Sequence, residues 1–268
     1  MAQTDRRFAG SIPALYDRYL GPLIFEGYAA DLARRAAAAA PQRLLETAAG
    51  TGIATRAMAR ALPDADITAT DLNQPMLDHA AAQPGVERVV WRRADAQSLP
   101  FPDASFDAVF CQFGAMFFPE KVSAYREARR VLKPGGRFLF SVWDRIEDNE
   151  FADIVTEIVA AMFPDDPPRF LARTPHGFYD VNTVREDLQT AGFTQIDADT
   201  VALRGRAPSP REPALAYCQG TPLRNEIEAR DASRLAEATE AAAAAIAARF
   251  GSGAVDGKIQ AHIFTAGR

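Results

Sequence analysis

Three carboxylates, Glu46, Asp71 and Asp95, each close a short apolar or β-branched run, and a Gly50-Thr51-Gly52 turn lies just past the first of them. Glycines let the backbone approach a ligand and take dihedrals closed to other residues. Asp71 stands 19 residues beyond Gly52, the place from which a carboxylate accepts hydrogen bonds from ribose hydroxyls. Taken singly, a glycine pair is an ordinary tight turn and an Asp after a strand is an ordinary helix cap. Taken in order, they describe a nucleoside site.

Two nucleoside classes compete for it. A dinucleotide asks for G-x-G-x-x-G, but the chain reads G-T-G-I-A-T from Gly50, with Thr55 in the third small position. Glu46 ahead of the turn also opposes a pyrophosphate, which seeks amides and helix N-termini. A cationic ligand would be drawn to the same carboxylates. S-adenosylmethionine (SAM) is such a ligand, with its sulfonium, ammonium and ribose-adenine unit.

The elements that position these residues alternate along the middle of the chain. Strand patterns occur at RLLETAA, ADITATD, VERVVWRRAD, SFDAVFCQF and RFLFSVWD, and helical patterns separate them. Asn73 reads as a helix cap with Pro75 in the first turn. The spacing predicts right-handed parallel crossovers and a doubly wound α/β sheet, whose ligands sit beyond the carboxyl ends of the strands. Those ends carry Glu46, Asp71, Asp95 with Ala96, Gln112 with Phe113, and Trp143 with Asp144. Ahead of the sheet, residues 12–40 read as helical with a break at Gly21-Pro22. After it come helices near 149–163 and 181–191, strands at TQIDADTVAL and KIQAHIFTAG, and between these an Ala- and Glu-rich helical segment, 212–249.

Composition sets the outer bounds. The 268 residues are 48% hydrophobic and 24% charged with a formal charge of -5, which excludes a disordered or collagen-like chain and disfavours non-specific nucleic-acid binding. Two cysteines, Cys111 and Cys218, make no disulfide framework, so a reducing, cytoplasmic setting is expected. MAQTDRRFAG lacks the apolar stretch of a secretory signal, and the alanine-rich runs at 36–40 and 241–248 are too short to cross a membrane.

LLETAAGTGIAT, ITATDLNQPMLDHA, RRADAQSLPFPDASFDAVFCQFGAMFFPE and ARRVLKPGGRFLFSVWD resemble the successive motifs of the class I SAM-dependent methyltransferases, closest to the type 11 or UbiE-like branch. The resemblance is strong over residues 40–145. It implies a Rossmann-like, seven-stranded, mostly parallel sheet with an antiparallel last strand, a helical N-terminal lid and a C-terminal helical insertion. By matching position it places Glu46 near the amino-acid moiety of SAM and Gly50 and Gly52 against the cofactor. It places Asp71 on both ribose hydroxyls, Leu72 beside the adenine, and Asp95 and Ala96 at the adenine amino group. Gln112 and Phe113 then meet the methionine portion, and Leu132–Gly136 matches a helix-to-strand turn. Tyr16, in the expected lid, is assigned to the methionine carboxylate. The family glycine at position 48 is here Ala48, whose methyl requires a negative φ.

Methyl transfer by in-line displacement needs alignment and exclusion of water more than a nucleophile triad. None is visible, and His79, His176 and His262 have no neighbours at metal-ligand spacing, so no metal is expected. His176, in the turn-rich RTPHGFYD segment, is the candidate general base, and Tyr179 a candidate acceptor-orienting phenol; each has an ordinary structural reading as well. Phe113, Met116, Phe117 and Phe118 are either pocket wall or core.

The expected organisation is one methyltransferase domain over 1–268: a lid (1–40), a SAM-binding core (41–145) and a substrate-covering region (146–268). The 212–249 segment is expected to cap the site or to form a homodimer contact. The expected function is methylation of a small organic acceptor, with no nucleic-acid or membrane partner; no N-P-P-Y-type motif follows the fourth strand. An NAD(P)-dependent oxidoreductase and a SAM-binding protein without catalysis remain as alternatives.

Overall fold

A computed structural model describes residues 12–268. The reading of MAQTDRRFAG lies outside the described residues. Along the chain run α1 (Ile12–Leu15), a π-helix (Tyr16–Phe25), α2 (Glu26–Ala37), β1 (Arg43–Thr47), α3 (Ile53–Ala61), β2 (Asp66–Asp71), α4 (Gln74–Ala81) and β3 (Val90–Arg93). There follow β4 (Phe106–Gln112), α5 (Lys121–Val131), β5 (Leu132–Trp143), α6 (Glu150–Met162), α7 (Phe170–Arg173) and α8 (Val181–Thr190). The chain closes with β6 (Gln195–Ala207), α9 (Arg211–Gly220), α10 (Leu223–Asp231), α11 (Leu235–Phe250) and β7 (Val255–Gly267).

The seven strands form one sheet in the order β3-β2-β1-β4-β5-β7-β6. β1 pairs in parallel with β2 and β4, β2 with β3, and β4 with β5. The direction of β7 follows from its hydrogen bonds to the β5 segment. The Asp144 amide donates to the Gln260 carbonyl, and the Arg268 amide donates to the Gly136 carbonyl. Partners that advance on one strand while receding on the other are antiparallel. This is the expected Rossmann-like sheet, with its last strand reversed.

Contacts divide the chain into two compact units. One comprises residues 26–142, 179–201 and 261–268. Its core is built from the inward residues of the central strands, among them Leu44, Leu45, Ala69, Val109 and Phe110. Central parallel strands are covered on both faces and so read as near-continuous apolar runs, as FDAVFC does in β4. Phe138, Phe140 and Phe264 stack through this core, with centroid separations of 4.7 and 5.0 Å. The other unit comprises residues 12–25, 143–178 and 202–260 of the described chain. There α6, α9 and α11 pack together around Phe151, Val155, Ala214, Ala238, Ala242 and Ile246. Small alanines along α11 permit that close approach.

Three local expectations are corrected. The run 12–40 is not simply broken at Gly21-Pro22: Pro22 sits inside the π-helix Tyr16–Phe25, whose wider turn is a recognised way to absorb a residue that disrupts an α-helical hydrogen bond. The third strand spans only Val90–Arg93, so Asp95 lies past its end, in an isolated antiparallel bridge to Ser98. Leu132–Gly136 belongs to β5, where pairing jumps from Phe106↔Leu132 to Ala108↔Arg137. The extra residues bulge out at Lys133-Pro134-Gly135-Gly136, and Gly135 takes φ +78°.

Candidate functional site

Glu46, Ala48, Gly50, Gly52, Asp71, Leu72, Asp95, Ala96, Gln112 and Phe113 belong to one unit, at or just past the carboxyl ends of β1 to β4. Asp71 ties the first two crossovers together. One carboxylate oxygen accepts the Gly50 amide at 2.9 Å, and the other accepts the Asn73 amide at 2.8 Å and its side-chain amide at 3.2 Å. Burial pushes the Asp71 pKa up, while the Asn73 and Gly50 donors pull it back. Asn73 occupies the cap position of α4 but makes no side-chain cap, and its side-chain nitrogen donates to Asp71. Leu72 beside it is an exposed large apolar residue, 40% accessible.

The two glycines of the turn have different reasons for being glycine. Gly50 has φ +56°, and a Cβ there would meet nothing within 4 Å, so the turn opens onto free space. Gly52, at φ +76°, leads into α3, and a Cβ there would lie 3.0 Å from both Ala80 and Trp91. Between them the buried Thr51 hydroxyl has no hydrogen-bond partner among the described residues. Arg56 donates to the Thr51 carbonyl at 2.9 Å, bracing the turn from α3.

Ala48 departs from expectation: its φ is +54°, not negative. An L-residue held there pays about 1–2 kcal/mol against its Cβ. The methyl finds its room at Gly114, where a Cβ would come within 2.4 Å of the Ala48 Cβ and 2.8 Å of the Cys111 sulfur. Phe113 is also left-handed, at φ +54°, an outlier for a bulky residue. Its amide donates to the Ser141 carbonyl at 3.1 Å and meets the Ser141 hydroxyl at 3.2 Å. Its ring meets Tyr28 edge-on at 5.3 Å, and the Tyr28 hydroxyl donates to the Val201 carbonyl at 2.9 Å. Ala48 and Phe113 thus store strain at the ends of the paired strands β1 and β4, and such outliers cluster at ligand sites.

Glu46 is fully enclosed, 1% exposed. Its carboxylate accepts the Thr55 hydroxyl of α3. Burial pushes its pKa up to about 8; the Thr55 bond and Arg56 lower it and Asp71 raises it further. Asp95 turns back on its own loop, accepting the Gln97 amide at 2.9 Å, and Ala96 is half-buried beside it. Met116 and Phe118 are buried, and Phe117 is half-buried.

The remaining candidates are distributed between the units. Tyr16 and His176 belong to the unit that holds α6, and Tyr179 to the other. Tyr16 is half-buried and stacks on Phe25 at 4.9 Å. His176 is buried, its ring 5.9 Å from Trp143, and Nδ1 donates to the Asp144 carbonyl at 2.8 Å. That bond assigns the remaining lone pair to Nε2. Burial pushes its pKa down to about 4, more than Asp144 restores. Tyr179 is exposed. Sequence reasoning passed over Thr55 as a donor to Glu46, along with Asn73 as a partner of Asp71 and Tyr28 as a prop for Phe113. For Thr55 there was a signal: a hydroxyl residue standing where the dinucleotide pattern wants a glycine.

Comparison with known proteins places this geometry. A family model described as a methyltransferase domain matches residues 45–140. The chain is 36% identical over 142 residues to the demethylmenaquinone methyltransferase of Deinococcus radiodurans, covering 51% of this chain and 59% of that protein. It is 32% identical over 171 residues to the ubiquinone/menaquinone biosynthesis C-methyltransferase UbiE of Caulobacter vibrioides, covering 57% of this chain and 68% of that one. The chain belongs to the class I SAM-dependent methyltransferases, in the UbiE-like branch. It is an enzyme of methyl transfer, and the oxidoreductase and binding-only readings are not favoured. In fold it is similar to phosphoethanolamine N-methyltransferase 2 of Haemonchus contortus, solved with phosphomonomethylethanolamine and S-adenosylhomocysteine. The TM-score is 0.60 at 18% identity, covering all of this chain and 61% of that one. No helix among the described residues is long and apolar enough to cross a membrane.

Proposed function

We propose that this methyltransferase carries a methyl group from SAM to a small organic acceptor by in-line displacement. The observation that carries the cofactor assignment is the coupling of Asp71 to the Gly50 amide beneath a turn that opens onto free space, with exposed Leu72 alongside. A ribose diol would take the remaining lone pairs of Asp71, and the adenine would cover Leu72 and reach Asp95 and Ala96. The unpartnered Thr51 hydroxyl and the cation-poor surroundings of Glu46 suit the polar, positively charged end of the same molecule. When bound, SAM supplies a methyl group on a cationic sulfonium and is left as the neutral thioether S-adenosylhomocysteine (SAH).

The protein's part is to bind, align and exclude water. Gly50 and Gly52 bring the turn close to the cofactor, and Gln112 and Phe113 face its methionine portion. Tyr16 is assigned to the carboxylate end. Phe113, Met116 and Phe117 give the acceptor site an apolar wall, in keeping with the quinone-biosynthesis names carried by the relatives. His176 is neutral at pH 7 on its lowered pKa, so as a base at Nε2 it is weak, and its better-supported role is to hold the Asp144 carbonyl. Tyr179 orients the acceptor. The enzyme works as a single domain in the cytoplasm, a setting that two buried free cysteines suit.

Calorimetry with SAM, SAH and NAD tests the cofactor. Micromolar SAM and SAH binding without NAD binding is expected, and the reverse overturns the proposal. Asp71→Ala should abolish SAM binding and Asp71→Asn weaken it, with folding checked by circular dichroism. Unchanged affinity in both refutes the ribose assignment. Incubation of labelled SAM with cell extract should yield one small labelled product, which names the acceptor.

A further inference from the structure

Phe113 follows β4 in a conformation that its own backbone disfavours. A bulky side chain at φ +54° is an outlier, and such a residue persists only where its surroundings over-determine it. Contacts to two elements hold it. Its backbone is tied to β5, where the Phe113 amide meets the carbonyl and the hydroxyl of Ser141. Its ring, 4% exposed, is met edge-on by Tyr28 at 5.3 Å and 86°. Tyr28 comes from the first turn of α2, a helix that packs on α3 and β4. The Tyr28 side chain is fully enclosed, and its hydroxyl donates to the Val201 carbonyl of β6 at 2.9 Å. A phenol tethered at its tip and packed along its ring has little freedom, so its position limits where the Phe113 ring can lie. Val201, Tyr28, Phe113 and Ser141 all belong to one compact unit.

Resting on the SAM reading above, in which Gln112 and Phe113 meet the methionine portion, we propose that Tyr28 is a positioning residue for the cofactor. It acts through Phe113: by holding that ring, it keeps the end of β4 in the left-handed turn from which SAM is bound. Without the ring contact, Phe113 relaxes toward negative φ, and the chain after it is re-aimed. The next residue, Gly114, lies against the Ala48 methyl. A change at 113 therefore also reaches the turn that runs from Ala48 to Gly52. A protein whose binding-competent fraction falls binds its ligand more weakly in the same proportion. Tyr28 contributes by setting that fraction and touches no cofactor itself.

The test is a cycle of SAM titrations by calorimetry on the full-length protein, with folding checked by circular dichroism. Tyr28→Leu should weaken SAM binding by about three- to tenfold, as the competent fraction falls. Tyr28→Phe keeps the ring but loses the Val201 tether, and should weaken it by about threefold. Phe113→Gly accepts a left-handed φ without steric cost and leaves no ring for Tyr28 to hold. In that background either Tyr28 variant should change SAM affinity by less than about 1.5-fold. Arg35→Ala is the control for a loosened α2: it removes ion pairs to Asp31 and to Asp199 of β6, and should leave SAM affinity unchanged. If Tyr28→Leu does not fold, the Tyr28→Phe arm of the cycle decides. Three outcomes would overturn the inference and leave SAM as cofactor. They are unchanged affinity in the Tyr28 variants, equal losses with and without Phe113, and an Arg35→Ala loss as large as that of Tyr28→Leu. A parent protein that binds no SAM would overturn the cofactor reading, and the inference with it.

Discussion

The methyl group of Ala48 occupies space that a side chain at position 114 would otherwise take, and each residue explains the other. Ala48 is strained at φ +54°, and Gly114 has no Cβ because one would lie 2.4 Å from that methyl. Ala48→Gly should therefore stabilise the protein by about 1 kcal/mol, since glycine takes a left-handed φ without steric cost. Gly114→Ala should destabilise it by about 1–3 kcal/mol through overpacking. The double variant should recover part of that loss, because the worst contact of the new Cβ has been removed. Denaturant midpoints of the four proteins check this, and strictly additive effects would show that the pair is not coupled. At this scale the sequence was only partly legible. The types and order of Glu46, Gly50, Asp71 and Asp95 pointed to a nucleoside site, because strand ends converge on one edge. The sign of φ at Ala48 was not legible, since the room for its methyl is left by Gly114, 66 positions away in the chain.

At the scale of elements, alternating pattern and breakers located the strands and crossovers well, because buried parallel strands must be apolar and crossover helices amphipathic. What they missed was local irregularity that depends on tertiary pairing. The β5 bulge is the clearest case: Lys133-Pro134-Gly135-Gly136 reads as a turn, yet Leu132 before it already pairs with Phe106. Lys133 is held there by Asp107 at 2.6 Å. The two glycines of the bulge should respond differently to alanine. Gly135 faces open space but has φ +78°, so Gly135→Ala should cost about 1 kcal/mol, and Gly135→Asn less. Gly136 would place its Cβ 2.9 Å from the carbonyls of Asp107 and Lys133. Those are backbone atoms that cannot rotate away, so Gly136→Ala should cost more, about 2–3 kcal/mol. Thermal unfolding of the three variants orders them; a Gly136→Ala protein as stable as Gly135→Ala would show that the bulge yields.

Across the whole molecule, two buried titratable groups shape stability against pH in opposite directions, one in each compact unit. Glu46 has a folded pKa of about 8 against 4.5 for the free side chain, so between these values the folded protein holds a proton that the unfolded chain has released. Stability from this group is full below about pH 4.5 and is lost as pH rises toward 8. His176 has a folded pKa of about 4 against 6.5, so there the unfolded chain holds the extra proton. Its contribution is full above about pH 6.5 and is lost as pH falls toward 4. The two slopes oppose each other between about pH 4.5 and 6.5, where the ligand-free protein should show little pH dependence from them. From about 6.5 to 8 only the Glu46 slope remains, at most about 1.4 kcal/mol per pH unit. Glu46→Gln should remove that decline and leave stability rising from pH 4 to 6.5. His176→Gln should do the converse, leaving a decline that begins near pH 4.5. Urea unfolding at half-unit pH intervals reads both, each variant being compared with the parent so that the other carboxylates cancel. A decline that persists unchanged in Glu46→Gln would assign it to other groups.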